Sequence, residues 1–176
     1  MMRGRKREHM FGPEHVTWTS VSAWGAYRLD SHPVSDARGD WTRIACQVEL
    51  APLHFRSVQV NISHTRSKGT IRGLHYQRGL TKIVYVVDGE ILDVVGNQGS
   101  GETAKVKLSA NQGVYVPAGM LHGFQALTDN VTMIYLYDAY YAPAEEGGVH
   151  YLSYGLKWPL EPTNVSARDA AFPRRR

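Results

Sequence analysis

Apolar positions along this chain come in short runs and alternations, broken about every ten residues by Gly, Asn, Asp or Pro, the spacing of an all-β protein. The run TKIVYVVDGEILDVV (81–95) reads as two strands rich in β-branched residues, joined at Asp88-Gly89, a dipeptide that favours a tight hairpin. AKVKLSA (104–110) alternates apolar and polar positions with the period of two expected of a half-buried strand. Asn111-Gln112-Gly113 then turns the chain into VYVP (114–117). HGFQAL (122–127), TDN (128–130) and VTMIYLYDAYY (131–141) read as strand, turn, strand. Upstream, RIACQVEL (43–50) and VQVNIS (58–63) are further strand candidates. Helical patterning is confined to a short turn in the last twenty residues, with another short turn expected near the N-terminus. The pattern predicts a β-sandwich or barrel, with a double-sheet jelly roll as the leading candidate.

Composition changes this picture little. At 176 residues, 43% hydrophobic and 20% charged, the chain has the makings of one domain with a full core, expected over residues 16–170. A single cysteine, Cys46, excludes an intramolecular disulfide framework and fits a reducing compartment. No apolar run approaches the roughly 18 residues of a membrane span, and the basic start MMRGRKREHM lacks the apolar stretch of a signal peptide. The expectation is therefore a cytoplasmic protein without a membrane partner. The pI near 9.2 suggests nucleic acid until the charge is located. Of the net +4, three charges belong to the first ten residues and three to Arg174–Arg176, so the stretch between carries −2. Residues 1–15 and 171–176 thus read as solvated basic tails, and a nucleic-acid partner is not expected.

GVYVPAGMLH (113–122) has the order glycine, proline, glycine, histidine typical of a cupin-type jelly roll, with a tight turn at Pro117–Gly119 and His122 directed into the barrel. Alternate residues of each strand would then line an interior able to hold a small ligand. Candidate polar residues for that interior are Arg72, His75, Gln77, Lys82, His122, Tyr135, Tyr137, Tyr141 and Asp169. Singly, each has an ordinary structural explanation: a hydrogen-bonded histidine, a strand-edge lysine, half-buried tyrosines, a solvated acid. A metal centre is disfavoured, because the chain has no His-x-His pair and His75 with His122 supplies two ligands where a catalytic metal commonly has three from the protein.

Taken together, VQVNIS, GTIRGLHYQ, TKIVYVVDGEILDVV, VPAGMLHGFQAL, MIYLYDAYYAP and VSARD, with Asp36-Ala-Arg38-Gly39 upstream, resemble the dTDP-4-dehydrorhamnose 3,5-epimerase family of metal-free cupins from about residue 36 to 169. The resemblance implies a cofactor-independent epimerase acting on a nucleotide-linked 4-keto-6-deoxyhexose. A C4 ketone acidifies C3–H and C5–H, and inversion needs a base on one face of the ring and an acid on the other. By resemblance His75 is the base, Asp169 orients it, Tyr135 is the acid, and Lys82 stabilises the enolate oxygen. Arg72 and Arg38 match diphosphate contacts, Tyr141 packs on the base, and Trp41 falls at a stacking position. Gln59, Asn61 and His122 match further binding positions. The resemblance also implies a homodimer with exchanged N-terminal strands, so that Arg38, Trp41 and Gln59 serve the partner's site.

Arg72 and His75 are three residues apart, which would put them on opposite faces of a regular strand, so a bulge or twist is expected between them. Departures from the family pattern gather at binding positions: Arg43 in place of a glutamate, Asn97-Gln98 after the 81–95 run, VHYLSYGLKWP (149–159), and Ala170 after Asp169. Two other readings share this sequence: a non-catalytic sugar-nucleotide binder, and a metal-dependent cupin enzyme.

Overall fold

A computed structural model describes residues 15–176, so the basic N-terminal stretch, apart from His15, lies outside the described residues. The strands are β1 (Val16–Ser20), β2 (Tyr27–Ser31), β3 (Val34–Asp36), β4 (Gly39–Trp41), β5 (Gln59–Thr65), β6 (Thr70–Gln77) and β7 (Lys82–Asp88). They continue as β8 (Glu90–Gly96), β9 (Thr103–Ser109), β10 (Gln112–Val116), β11 (Leu121–Ala126), β12 (Val131–Tyr137), β13 (Glu146–Gly148) and β14 (Asn164–Val165). Two short helices, α1 (Gln47–Leu50) and α2 (Ala167–Ala171), complete the set. One sheet has the order β1-β2-β10-β7-β12-β5, and the other β13-β6-β11-β8-β9 with β14 parallel to β6. From β5 to β8 and again from β9 to β12, successive strands fall in opposite sheets, the double-sheet jelly roll of cupins.

The strand alternation sets the layers. Val84 and Val86 of β7, Ile91 and Val95 of β8, Phe124 of β11 and Met133 of β12 meet between the sheets. The opposite faces of β7 and β12 are also covered, because Ile83 and Leu136 pack under Val16, Leu50, Leu53 and Phe55. This double burial explains why 83–86 is a continuous apolar run. Edge strand β9 instead buries Val106 and Leu108 and carries Lys105 and Lys107 on the other face.

Three sequence expectations are corrected. The two strands of 81–95 do not form a hairpin: β7 pairs β10 and β12, while β8 pairs β9 and β11. Asp88-Gly89 reverses the chain with Gly89 at φ +85°, but hands it across to the other sheet. A turn dipeptide encodes the local reversal and not the pairing partner. RIACQVEL contains the helical turn α1, not a strand. With no strand among the described residues paired to it, the segment meets its hydrogen-bonding needs locally, Leu50 N–H donating to the Cys46 carbonyl. Strand β12 ends at Tyr137, four residues earlier than the 131–141 run suggested. The C-terminal basic stretch is exposed at Arg174–Arg176, yet its backbone is anchored by hydrogen bonds joining Pro173 to His150 and Arg175 to Ser153 and Tyr154.

Candidate active site

The expected irregularity in IRGLHYQ is present. Arg72 pairs with Phe124 and His75 with His122, so three steps along β6 oppose two along β11, a β-bulge. Two glycines make it possible. Gly73 adopts φ +127°, and a Cβ there would lie 2.5 Å from the Gly123 Cα. A Cβ on Gly123 would in turn lie 2.7 Å from the Arg72 carbonyl oxygen. The bulge turns Arg72 and His75 toward the same cavity and leaves Leu74 in the apolar cluster on the other side of the sheet.

Regular alternation supplies the other walls. Tyr135 and Tyr137 of β12 are in register with Val84 and Lys82 of β7, and with Asn61 and Gln59 of β5. The cavity, about 570 Å³, is lined by Arg72, His75, Lys82, His122, Tyr135 and Asp169 among others. Asn61, Gln77, Tyr137 and Tyr141 also border it. Gln59, expected to serve a partner's site, is instead held at the rim of this chain's own cavity, its Oε1 accepting from the Tyr141 N–H at 3.0 Å and its Nε2 donating to the Asn61 Oδ1 at 3.2 Å. Arg38 and Trp41 lie outside this chain's cavity on the β3–β4 hairpin. The Arg38 side chain is 91% exposed beside Asp36, and Trp41 lies under the Arg43 guanidinium, 5.4 Å from its ring centroid.

His75 and Asp169 form a close pair, with Nε2 2.7 Å from Oδ1. The Ser166 hydroxyl caps α2 by accepting from the Asp169 N–H at 3.1 Å, which places Asp169 in the first helical turn. Its Oδ2 accepts the Gly73 N–H at 3.0 Å, a donor freed from the ladder by the bulge. Burial alone would raise the Asp169 pKa, but hydrogen bonds from His75 and Gly73 outweigh it and pull the carboxyl down to about 2. An ionised carboxylate can only accept, so the short contact puts the ring proton on Nε2 and leaves Nδ1 free to take another.

Burial pushes the Tyr135 phenol up to about 12, so it stays protonated and able to donate, with Ser63 Oγ at 3.5 Å. Burial pulls Lys82 down to about 8, opposed by Asp93 and Glu146. Arg72 is steadied by Thr65 Oγ1 at 3.3 Å and the His64 carbonyl at 3.4 Å, and presents a guanidinium at the mouth. Among the described residues no group of three or more His, Cys, Asp or Glu side chains is placed to hold a metal ion. The two cavity histidines are each bound to their own carboxylate.

Several residues of the site carried weak sequence signals. Glu146, within AEEGG, accepts from the Tyr141 hydroxyl at 2.5 Å and from Arg168 at 3.0 Å, tying the rim together. Arg168 sits beside Asp169 in VSARD; its Nη2, 3.2 Å from the His75 Nε2, donates to Glu146 Oε1 at 3.4 Å and leaves the shorter Nε2 contact to the Asp169 carboxylate. Asp93 follows Ile91 at strand spacing, so alternation alone puts a charge on a buried face.

The sequence profile of the dTDP-4-dehydrorhamnose 3,5-epimerase family matches residues 20–176. A dTDP-4-dehydrorhamnose 3,5-epimerase of Mycolicibacterium smegmatis is 32% identical over 172 residues, covering 90% of this chain and 85% of the relative. The structure of a dTDP-6-deoxy-D-glucose-3,5-epimerase from Legionella pneumophila in complex with dTDP-4-keto-L-rhamnose superimposes with TM-score 0.83 and 30% identity, covering 91% and 93% of the two chains. A 3′-monoepimerase from Streptomyces bikiniensis in complex with dTDP-quinovose aligns with TM-score 0.79 and 32% identity, over 85% and 83%. With the family profile matched over residues 20–176 and the fold shared with its solved members, the chain belongs to the dTDP-4-dehydrorhamnose 3,5-epimerase family of sugar-nucleotide isomerases.

Proposed function

We propose that this protein epimerises a dTDP-linked 4-keto-6-deoxyhexose by proton abstraction and return through an enolate. The observation that carries the reading is the grouping of the His75–Asp169 pair, Tyr135 and Lys82 around one cavity. His75 Nδ1 takes the proton from the carbon beside the C4 ketone, and the electron pair moves into the carbonyl to give the enolate. Asp169 stabilises the imidazolium that results, and the Lys82 ammonium stabilises the enolate oxygen. Tyr135 returns a proton to the opposite face of the same carbon, and the phenolate and imidazolium reset by exchange with solvent. Arg72 takes the diphosphate, Tyr141 packs on the base, and Asn61, Gln59 and His122 hold the sugar and nucleoside.

A homodimer completes the proposal, with Arg38 and Trp41 contributed to the partner's cavity. It is supported by the exposed β3–β4 hairpin and by edge strand β5, whose outer face leaves Val60 61% and Ile62 60% exposed. Light scattering reads the assembly. A cytoplasmic location belongs to the same proposal, supported by the lone cysteine.

The test is incubation with dTDP-4-keto-6-deoxyglucose in deuterated water, with label at C3 and C5 followed by NMR. Label at both carbons marks a 3,5-epimerase, and label at one a monoepimerase. Tight binding with no exchange refutes the catalytic reading in favour of a binding protein.

A further inference from the structure

The inner face of β8 runs Ile91, Asp93, Val95, and all three side chains are fully buried. Ile91 and Val95 belong to the apolar core between the sheets, so Asp93 places a carboxylate where another branched aliphatic residue would pack. Its Oδ2 lies 2.8 Å from the His122 Nε2, while its Oδ1 has no hydrogen-bond partner. Leaving a buried carboxylate oxygen unpaired is costly, and one histidine satisfies half of this group. Lys82, on the other sheet and lining the same cavity as His122, bears the complementary charge.

We propose that Asp93 is a positioning residue of the active site: one oxygen fixes His122 as the Nε2–H tautomer, and the other supplies the buried negative charge that balances the Lys82 ammonium. This rests on the reading of Lys82 as the group at the enolate oxygen. The same carboxylate thereby presents His122 to the sugar through an unprotonated Nδ1, a hydrogen-bond acceptor for a hydroxyl. It also keeps Lys82 charged in a poorly solvated cavity. Burial works against that charge, and Asp93 is the foremost group opposing it, followed by Glu146 of β13. The other titratable or charged groups around the cavity are Arg72, His75 and Tyr76 on β6, His122 on β11, Tyr135 and Tyr137 on β12, Tyr141 beyond it, and Arg168 with Asp169 on α2. Burial pulls the His122 pKa down, with Asp93 opposing the shift and Lys82 adding to it.

The first measurement uses the unaltered protein. Nitrogen-15 NMR of His122 at pH 7 should show Nε2 protonated and Nδ1 bare, and the reverse tautomer or an imidazolium overturns the proposal. The second uses Asp93→Asn, which preserves shape, with its melting temperature measured alongside. Lys82, followed by carbon-13 NMR and identified by its loss in Lys82→Arg, should titrate lower by about one pH unit or more. The alkaline limb of kcat should move down with it while KM stays within about threefold. Lys82 titrating unchanged in Asp93→Asn overturns the proposal. If that variant does not fold, Lys82→Met provides the reciprocal test: with the ammonium gone, the His122 titration must rise, and an unmoved His122 overturns the coupling. Undiminished turnover in Lys82→Met would instead remove Lys82 from the mechanism, a failure of the reading above that leaves the NMR result on Asp93 standing.

Discussion

Replacing Asp169 by asparagine tests the base most directly, because it alters charge and leaves shape nearly intact. The carboxylate accepts from His75 Nε2 at 2.7 Å and from the Gly73 N–H at 3.0 Å. The backbone N–H of Gly73 always donates, so in Asp169→Asn the new amide oxygen must turn to it, and the NH₂ group then meets His75. A donor facing Nε2 drives the ring proton to Nδ1, the nitrogen that has to be free. The charge effect is bounded by the Asp169 pKa of about 2 against its ordinary 3.8, a net preference for the ionised form of about 2 kcal/mol. Part of that belongs to Gly73 and Ser166, so loss of imidazolium stabilisation by itself slows proton abstraction roughly 10-fold. The tautomer change adds to this; in the serine-protease triad the same Asp-to-Asn change costs about 10⁴. Expected for Asp169→Asn is a fall in kcat on the order of 10²–10⁴, with dTDP affinity within about threefold. Deuterium incorporation at C3 and C5 reads the first, and titration calorimetry with dTDP the second. A kcat within about fivefold of wild type, in a variant that binds dTDP normally, would refute the assignment of Asp169 and the direction of proton flow built on it.

Tyr135→Phe should retain deuterium exchange at the carbon that His75 deprotonates while net inversion falls by on the order of 10² or more; full inversion would exclude Tyr135 as the acid. Gly73→Ala combines a positive φ with a 2.5 Å approach to the Gly123 Cα, so about 3 kcal/mol of stability should be lost. In calorimetry that corresponds to a melting point lower by roughly 10 °C, and an unchanged melting point would mean the bulge does not need glycine. The depressed Asp169 pKa stabilises the fold at pH values above its unfolded pKa near 3.8, and this contribution is lost as pH falls through about 2. The stability difference between wild type and Asp169→Asn should therefore shrink by about 2 kcal/mol between pH 5 and pH 2, read by urea denaturation at each pH. A constant difference would show that Asp169 ionisation is not coupled to folding.

Local pattern carried the strands, because side-chain alternation and turn residues act over a few neighbours, and β5, β9 and β11 lie close to where those signals put them. It failed where pairing decides. Asp88-Gly89 looks the same whether the next strand returns beside β7 or crosses to the other sheet, and the crossing is settled by which buried faces find partners. RIACQVEL has the apolar content of a strand, but among the described residues no strand pairs with it, and its backbone closes on itself as α1.

The chemistry of the site divides in the same way. The residue types were legible: an imidazole in RGLHYQ, a phenol in MIYLYD and a carboxylate in VSARD suffice to suggest acid–base work on a carbon acid. Their convergence was not, since His75 and Asp169 are 94 positions apart and meet only because a bulge, β14 and the capped turn of α2 bring the chain ends of the site together. The sequence by itself determined the β architecture and the kinds of groups present. Tertiary structure alone decided which nitrogen of His75 carries the proton, how far Lys82 and Tyr135 are shifted, and that a buried Asp93 meets His122, because burial and electrostatics depend on distances through space that no local pattern records.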